Sequence, residues 1–516
     1  MNMLRSRIKG GSIFFRSHLK TQTSHIPLLL ARSIHLSAKQ LLSEKKTAAK
    51  FNSNCHKLDC IDTKFQKLMN VRFLPLPKAS AAADLKSSET VQAINKEDLP
   101  ENSVSVLSYN ILAQCLVKRE LFPYCDKQTL KWLPRAQQLL NQIKCLDSDI
   151  ACFQEMGNYE DFFKEKLSSL GYITYYYTNI KKQHGCCIAF KKEKFIYLDS
   201  LNIELDDTET LSEDIPCPKS ISTGNVGLVL SIKPCAPGLS EQCFIIGTCH
   251  LYWRPDCDYE RLRQAHVFIK ASETFSKLFS NPSVMICGDF NSQPYKLPYK
   301  ILTKYSPFDD EQFNRTVREL EGVYQKAKND LAKNEQLLAA KVSDLAQLPP
   351  TDVTPEAEII SKKKKASKKL TNEETLSREI KKLENEVERL KKQVELQDHL
   401  MDPTELCKHV SEGPRLVSTY ATYASLDPSY LSDNWGVHYN PERESSQVAI
   451  LEPKFTHFTD EFRSTLDYIF LVEGLTNVIP THVLALPDSS EFGEGLPNQI
   501  HPSDHLPIMG IFNTNK

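Results

Sequence analysis

Asp289 and Asn291 stand two residues apart in Cys287-Gly288-Asp289-Phe290-Asn291-Ser292-Gln293-Pro294, after the apolar run Val284-Met285-Ile286-Cys287. The run reads as a buried strand that Gly288 breaks. Side chains at i and i+2 of an extended segment share a side, so a carboxylate and an amide would converge where an α/β sheet presents its ligand site. The pair suits holding a water beside a phosphate, although a Gly-Asp-Phe-Asn-Ser turn also serves purely structural ends. Further segments end in similar groups: Asn110 in Ser-Tyr-Asn-Ile-Leu, Glu155 in Phe-Gln-Glu-Met, His250 in Thr-Cys-His-Leu-Tyr-Trp, and Asp504 with His505 in Pro-Ser-Asp-His-Leu-Pro. Each has an ordinary account, as a turn cap, a surface carboxylate, a hydrogen-bonded histidine or a rigid loop. Together they supply what metal-assisted phosphoester hydrolysis requires: a carboxylate for the metal, a carboxylate for the water, and amides and imidazoles around the phosphate.

Such groups need strands to bring them together. Ser103–Asn110 alternates enough to read as a strand, and Asp149–Glu155, Gly185–Phe190, Gln242–His250, the Asp289 run and Leu466–Val472 read likewise, the last with Asp467 at its entry. Helical patterns over Leu130–Leu146 and Tyr259–Phe279 separate some of them. Strands alternating with helices and longer loops predict an α/β sandwich.

The chain has 516 residues, 41% hydrophobic and 25% charged, the balance of an ordinary globular protein. Its net charge of −1 gives no global attraction to nucleic acid, so RNA or DNA must be held by a local basic patch. The 15 cysteines show no C-x-x-C spacing, which predicts reduced thiols rather than a disulfide framework. No apolar run reaches the length of a membrane span. Residues 1–43 carry Arg5, Arg7, Lys9, Arg16, Lys20, Arg32 and Lys39 and no acidic residue, the composition of a mitochondrial transit peptide. The other reading is a basic tail that docks on RNA or enters the nucleus; imaging the endogenous protein outside mitochondria would refute the transit peptide. Residues 44–102 read as a weakly structured lead-in interrupted by Pro75, Pro77 and Pro100.

Residues 307–403 interrupt the catalytic pattern, which fills 103–306 and 404–516. Val317, Leu320, Tyr324, Ala327 and Leu331, and later Leu376, Ile380, Leu383, Val387, Leu390 and Val394, run at spacings of three and four. They predict an antiparallel coiled-coil hairpin with the lysine-rich Ser361–Lys369 at its tip. It is either an inert surface insertion or an arm for RNA or a protein partner.

The ordered motifs resemble the endonuclease/exonuclease/phosphatase superfamily. Tyr-Asn-Ile-Leu-Ala and His-Leu-Tyr-Trp point to the branch of the poly(A) deadenylases, nocturnin and the Angel proteins. Tyr259-Glu260-Arg261-Leu262-Arg263-Gln264 is most similar to the fungal Ngl-type RNA exonucleases. The resemblance covers Ser103–Tyr305 and Leu416–Phe512 and implies a four-layer α/β sandwich. It implies Glu155 as the main Mg²⁺ ligand, with Mn²⁺ as substitute, and Asn110 steadying it. Asp289 would orient and deprotonate water, with Asn291 fixing it and the phosphate. His250 and His505 would donate to phosphate oxygens, Asp467 would orient His505, and Asp504 would support that histidine or a second metal. Pro255 and Phe462 match positions that sandwich the terminal base. Lys181, Lys182, Arg261 and Arg263 are candidates for backbone phosphates. One departure is His184-Gly185, where relatives often carry Asp-Gly, which puts adenine specificity in doubt.

The resemblance implies a Mg²⁺-dependent 3′ exoribonuclease acting on single-stranded RNA. Alternatives are a phosphatase or phosphodiesterase for 2′,3′-cyclic or 2′,5′-linked RNA ends, and a lipid or inositol phosphate hydrolase, against which Tyr-Asn-Ile-Leu-Ala speaks. A non-catalytic adaptor working through the helical hairpin is the reading of another class, and the intact set of motif residues argues against it.

Overall fold

Inward and outward side chains alternate along the strands and sort the apolar residues into two cores. The computed structural model describes residues 71–75, 95, 98–99, 103–206, 217–235, 242–304, 310–347, 372–423, 435–438 and 450–514. The basic leader, most of the lead-in and the lysine-rich Ser361–Lys369 lie outside them. One sheet contains β1 (Phe73–Pro75), β2 (Ser103–Asn110), β3 (Ile150–Gly157), β4 (Tyr172–Tyr177), β5 (His184–Lys191), β16 (Val478–Leu484) and β17 (Ile508–Thr514), in the order β1-β16-β17-β2-β3-β5-β4. The other contains β6 (Phe195–Glu204), β7 (Val226–Pro234), β8 (Cys243–His250), β9 (Pro282–Asp289), β10 (Leu416–Ser418) and β15 (Asp467–Val472), in the order β10-β15-β9-β8-β7-β6. Two small ribbons, β11 (Trp435–His438) with β12 (Ile450–Pro453) and β13 (His457–Phe458) with β14 (Arg463–Ser464), complete the strands described.

Val106, Ile150, Cys152 and Ile188 of the first sheet meet Leu230, Phe244, Ile246 and Ile469 of the second in the core between the sheets. The intervening residues face outward. Ile245, Val284 and Phe470 pack under Leu262 and Phe268 of the helix Asp258–Ser276. On the far side the Tyr109 hydroxyl donates to Gln142 of the helix Trp132–Leu146 over 2.7 Å. The layers therefore run helix, sheet, sheet, helix.

The pairing sets the functional end. β2 and β3 are parallel, with Asn110 opposite Gln154, and β8 and β9 are parallel, with His250 opposite Asp289. Antiparallel β15 brings its first residue, Asp467, against Asp289. Gly288 does not end its strand: β9 continues through Asp289. At φ +148° a Cβ on Gly288 would collide with the Cys249 carbonyl, so glycine is what lets β9 close on β8 here.

The helices Asp310–Ala346 and Asn372–Gln397 run antiparallel, joined by Lys341–Glu379 (2.5 Å) and Lys391–Glu335 (2.9 Å). Ala327, Ile380, Val387 and Leu390 are buried along them. At their base, Leu320, Leu400 and Met401 join the core of the second sheet, and the Tyr259 hydroxyl donates to the Met401 carbonyl over 2.9 Å. No helix among the described residues is long and apolar enough to cross a membrane, and the described cysteines are free thiols.

Candidate active site

Strand ends from both sheets deliver the acidic and imidazole groups to one place. Asn110 is buried at the end of β2. Its Nδ2 donates to Asp289 Oδ2 at 3.0 Å and reaches Glu155 Oε1 at 3.4 Å, while its Oδ1 accepts from the Leu112 amide at 3.0 Å. Glu155 sits at a register shift between Phe153 and Met156 with φ +55°. A β-bulge re-aims a side chain, and a non-glycine residue in the left-handed region costs about 1–2 kcal/mol. The bulge turns Glu155 to the strand end, where Oε2 accepts from the Ala113 amide at 2.9 Å.

Asp289 is the hub. Its Oδ2 faces His250 Nε2 at 3.5 Å and His505 Nε2 at 3.7 Å in addition to Asn110, and its Oδ1 accepts from the Asn291 amide at 2.9 Å. Asn291 itself has φ +48°, and its Nδ2 donates to the Leu251 carbonyl at 3.0 Å. The strand has ended before Asn291, so the i, i+2 argument does not hold there; the pair is joined by an Asx-type turn instead. His505 Nδ1 lies 2.8 Å from Asp467 Oδ2, and the same oxygen accepts from the Thr456 hydroxyl at 2.6 Å.

Burial and charge then set the protonation states. Burial raises the Asp289 carboxyl to about 7, helped by the neighbouring Asp467 carboxylate. Burial, then the Asp504 charge, raises Glu155. Burial, with Lys182, His184 and His505 adding like charge, holds His250 well below the usual imidazole range. For His505 burial opposes protonation, but Asp467 and Asp289 outweigh it and hold the ring charged. Asp504 is held down at about 2: burial works against ionisation, and His457 and His505 overcome it.

His457 is the residue that sequence reasoning missed. Its Nε2 lies 3.5 Å from Asp504 Oδ2, its ring is edge-on to His505 at 4.7 Å, and Phe462 lies 5.4 Å away. Its only sequence signal is its place in Phe-Thr-His-Phe, ahead of Phe462 and Asp467. Lys182 and His184 also come close, lining a slot with Glu155, Asn225 and His250. The structure thus gathers Asn110, Glu155, His250, Asp289, Asn291, Asp467, Asp504 and His505, with half-exposed Phe462 at the rim. Pro255 is exposed on the loop after His250.

Arg261 is not at a phosphate position. It is buried, paired with Asp258, and donates to the carbonyls of Tyr252 (3.2 Å), Arg254 and Pro255 (2.6 Å). Arg263 is likewise buried against Glu260 at 2.7 Å. A helix that packs on a sheet buries these positions, so both guanidiniums serve structure.

The Endonuclease/Exonuclease/phosphatase family profile matches residues 107–350. "RNA exonuclease NGL2" of Saccharomyces cerevisiae is 37% identical over 219 residues, 38% of this chain; the chain spans 42% of that relative's length. "Carbon catabolite repressor protein 4 homolog 4" of Arabidopsis thaliana is 31% identical over 444 residues, covering 80% of this chain and 78% of the relative. Among solved structures, ANGEL2, described as a 2′,3′-cyclic phosphatase, in complex with adenosine-2′,3′-vanadate, aligns at 21% identity with a TM-score of 0.47, covering 80% of this chain and 95% of that one.

Proposed function

The chain belongs to the endonuclease/exonuclease/phosphatase family, and from that premise we propose that it hydrolyses RNA phosphodiesters. In this reading it is a divalent-cation-dependent 3′ to 5′ exoribonuclease that takes single-stranded RNA and releases nucleoside 5′-monophosphates. The observation that carries the proposal is the convergence on Asp289 of Asn110, His250 and His505, with Glu155 on the same amide. Relatives named as RNA exonucleases support RNA as substrate.

Asp289 is the group suited to accept a proton from water. Its carboxyl is raised to about 7 by burial and Asp467, so it is a better base than an exposed aspartate and is partly ionised at neutral pH. Asn110 and the Asn291 amide hold both its oxygens. His505, kept charged and fixed by Asp467, donates from Nε2 to a phosphate oxygen as negative charge develops. His250 is pushed towards the neutral form, so it serves as an orienting hydrogen-bond partner rather than a second positive charge.

The residues fit a divalent cation. Asp289 is buried and Glu155 partly buried, and both carboxyls are raised by burial and by other carboxylates, so a cation would relieve the charge they share. Among the described residues, Asp289 with Asp467 and His505, and His457 with Asp504 and His505, bring possible ligand atoms within 4.8 Å of one another. Neither contains Glu155, but in the first grouping Asp467 and His505 already satisfy each other at 2.8 Å. Glu155, steadied by Asn110 Nδ2, offers hard carboxylate oxygens, which suit Mg²⁺ with Mn²⁺ as substitute. A bound cation would supply Lewis-acid neutralisation of phosphate charge.

The test is the purified protein with Mg²⁺ or Mn²⁺ on poly(A), mixed-sequence, 2′,5′-linked and 2′,3′-cyclic-ended RNAs, with product analysis. We expect stepwise release of 5′-monophosphates from free 3′ ends, and at least about 10²-fold loss for Glu155→Gln. Release of inorganic phosphate or end-opening without shortening would replace the exonuclease reading with an RNA-end phosphatase or phosphodiesterase. Full activity of Glu155→Gln would refute the cation assignment.

A further inference from the structure

Trp253 is 64% exposed, three residues after His250 and two before Pro255. A single exposed hydrophobic residue is ordinary on a protein surface. What is unusual is how firmly this one is mounted. The Leu251 amide donates to the Asp289 carbonyl at 2.9 Å, and the Leu251 carbonyl accepts from Asn291 Nδ2 at 3.0 Å. The Tyr252 amide donates to Gln264 Oε1 at 3.0 Å. The buried Arg261 guanidinium then ties the carbonyls of Tyr252, Arg254 and Pro255 to the helix. The backbone is therefore fixed before Trp253 to the end of the strand that bears Asp289 and on both sides of it to the helix Asp258–Ser276, while the indole stays in water. Arg254 lies over that indole, its guanidinium carbon 5.7 Å from the ring centroid.

We propose that Trp253 and Arg254 form a stacking subsite for the RNA strand on the 5′ side of the cleaved bond. The indole takes the face of a base, and Arg254 meets the adjoining phosphate. This rests on the exoribonuclease reading and adds to it a grip on nucleotides beyond the terminal one. An aromatic face next to a cation is how single strands are held without sequence readout. Rigid mounting lowers the ordering cost of that grip. Trp253 lies between His250 of the site and the exposed Pro255, with the exposed Arg254 next to it. Arg389 of the helix Asn372–Gln397 interacts electrostatically with Tyr252 but is already paired with Glu386 at 2.6 Å, so it is not part of the subsite.

The experiment measures KM and kcat of the full chain on an octanucleotide and on the p-nitrophenyl ester of a nucleoside 5′-monophosphate, which carries a cleavable bond but no base on its 5′ side. Trp253→Ala should raise KM on the octanucleotide about 5- to 150-fold, the worth of one stacked base. The KM change on the p-nitrophenyl ester should be much smaller, and Trp253→Phe should recover most of the octanucleotide affinity. Arg254→Ala should raise the octanucleotide KM and flatten its salt dependence. An unchanged octanucleotide KM in Trp253→Ala overturns the subsite and leaves the indole to a protein contact. An equal loss on both substrates also overturns it, because that marks a disturbed catalytic loop. A wild-type protein that hydrolyses no RNA overturns the exoribonuclease reading, and the subsite with it.

Discussion

At the scale of single residues, the chemistry rests on one carboxylate that touches no substrate. Asp467 holds His505 Nδ1 at 2.8 Å, accepts from Thr456 at 2.6 Å through the same oxygen, and raises both His505 and Asp289 by its charge. Asp467→Asn keeps the volume and removes the charge. The imidazole then loses its strongest reason to stay protonated, and Asp289 becomes easier to ionise. We expect kcat to fall about 10²- to 10⁴-fold with little change in KM, and the His505 ring, followed by NMR, to titrate at lower pH. A variant with wild-type kcat would remove His505 from the proposed chemistry. Polar residues at strand ends were legible because chemistry needs particular types there. Asn291 was legible as a residue and not as a conformation, since only the left-handed turn shows that its amide, rather than a shared strand face, reaches Asp289. Arg261 and Arg263 misled because charge in a sequence reads as surface; it takes the packed helix to show them buried against Asp258 and Glu260. His457 left too little pattern to find.

At the scale of elements, the strands that end in functional residues were readable from apolar runs, and Ser103–Asn110 falls where alternation puts it. Strands β4, β6, β7, β16 and β17 were not read; β4 and β6 are edge strands of mixed burial and β16 has a register shift between Pro480 and His482, so these three show no clean alternation. The long helices show the same division. Their seams follow from residue spacing, but the depth of their attachment does not: Leu320 and Met401 belong to the core of the second sheet. Removing Phe308–Asp402 would therefore take core residues with it, at about 2–5 kcal/mol for each large one lost. Removing only Glu335–Val387, with a short glycine-serine linker between the facing helix ends, spares that base. The shortened protein should unfold within about 3 °C of the full chain and retain RNA hydrolysis, whereas loss of the whole segment should lower the midpoint by far more or abolish folding. Thermal denaturation of both variants decides this, and equal tolerance of both would show that the helices do not support the body.

At the scale of the whole molecule, the site's charges and the fold's stability are one balance. Glu452, fully buried with the Tyr299 hydroxyl donating to it at 2.7 Å, is raised to about 7 by burial. Asp289 and Glu155 are raised as well. For a raised carboxyl the folded state holds the proton more tightly than the unfolded state does. Its contribution is intact below the unfolded value near 4 and is lost as pH climbs towards 7. His184, His266 and His501 are lowered to about 4, chiefly by burial, so their contribution is intact above about 6.5 and is lost as pH falls towards 4. The two families of groups oppose each other, and the cation-free protein should be most stable between roughly pH 5 and 6.5. Glu452→Gln should flatten part of the decline above pH 6 whether or not cation is present. Mg²⁺ or Mn²⁺ binds the ionised site, so its stabilisation should be larger at pH 8 than at pH 5.5, by RT ln(1 + [cation]/Kd) at each pH. Glu155→Gln should remove that cation-dependent gain while leaving the Glu452 effect in place. Urea denaturation across this pH range, with and without cation, separates the contributions. A cation gain that survives Glu155→Gln would move the cation to the grouping of His457, Asp504 and His505.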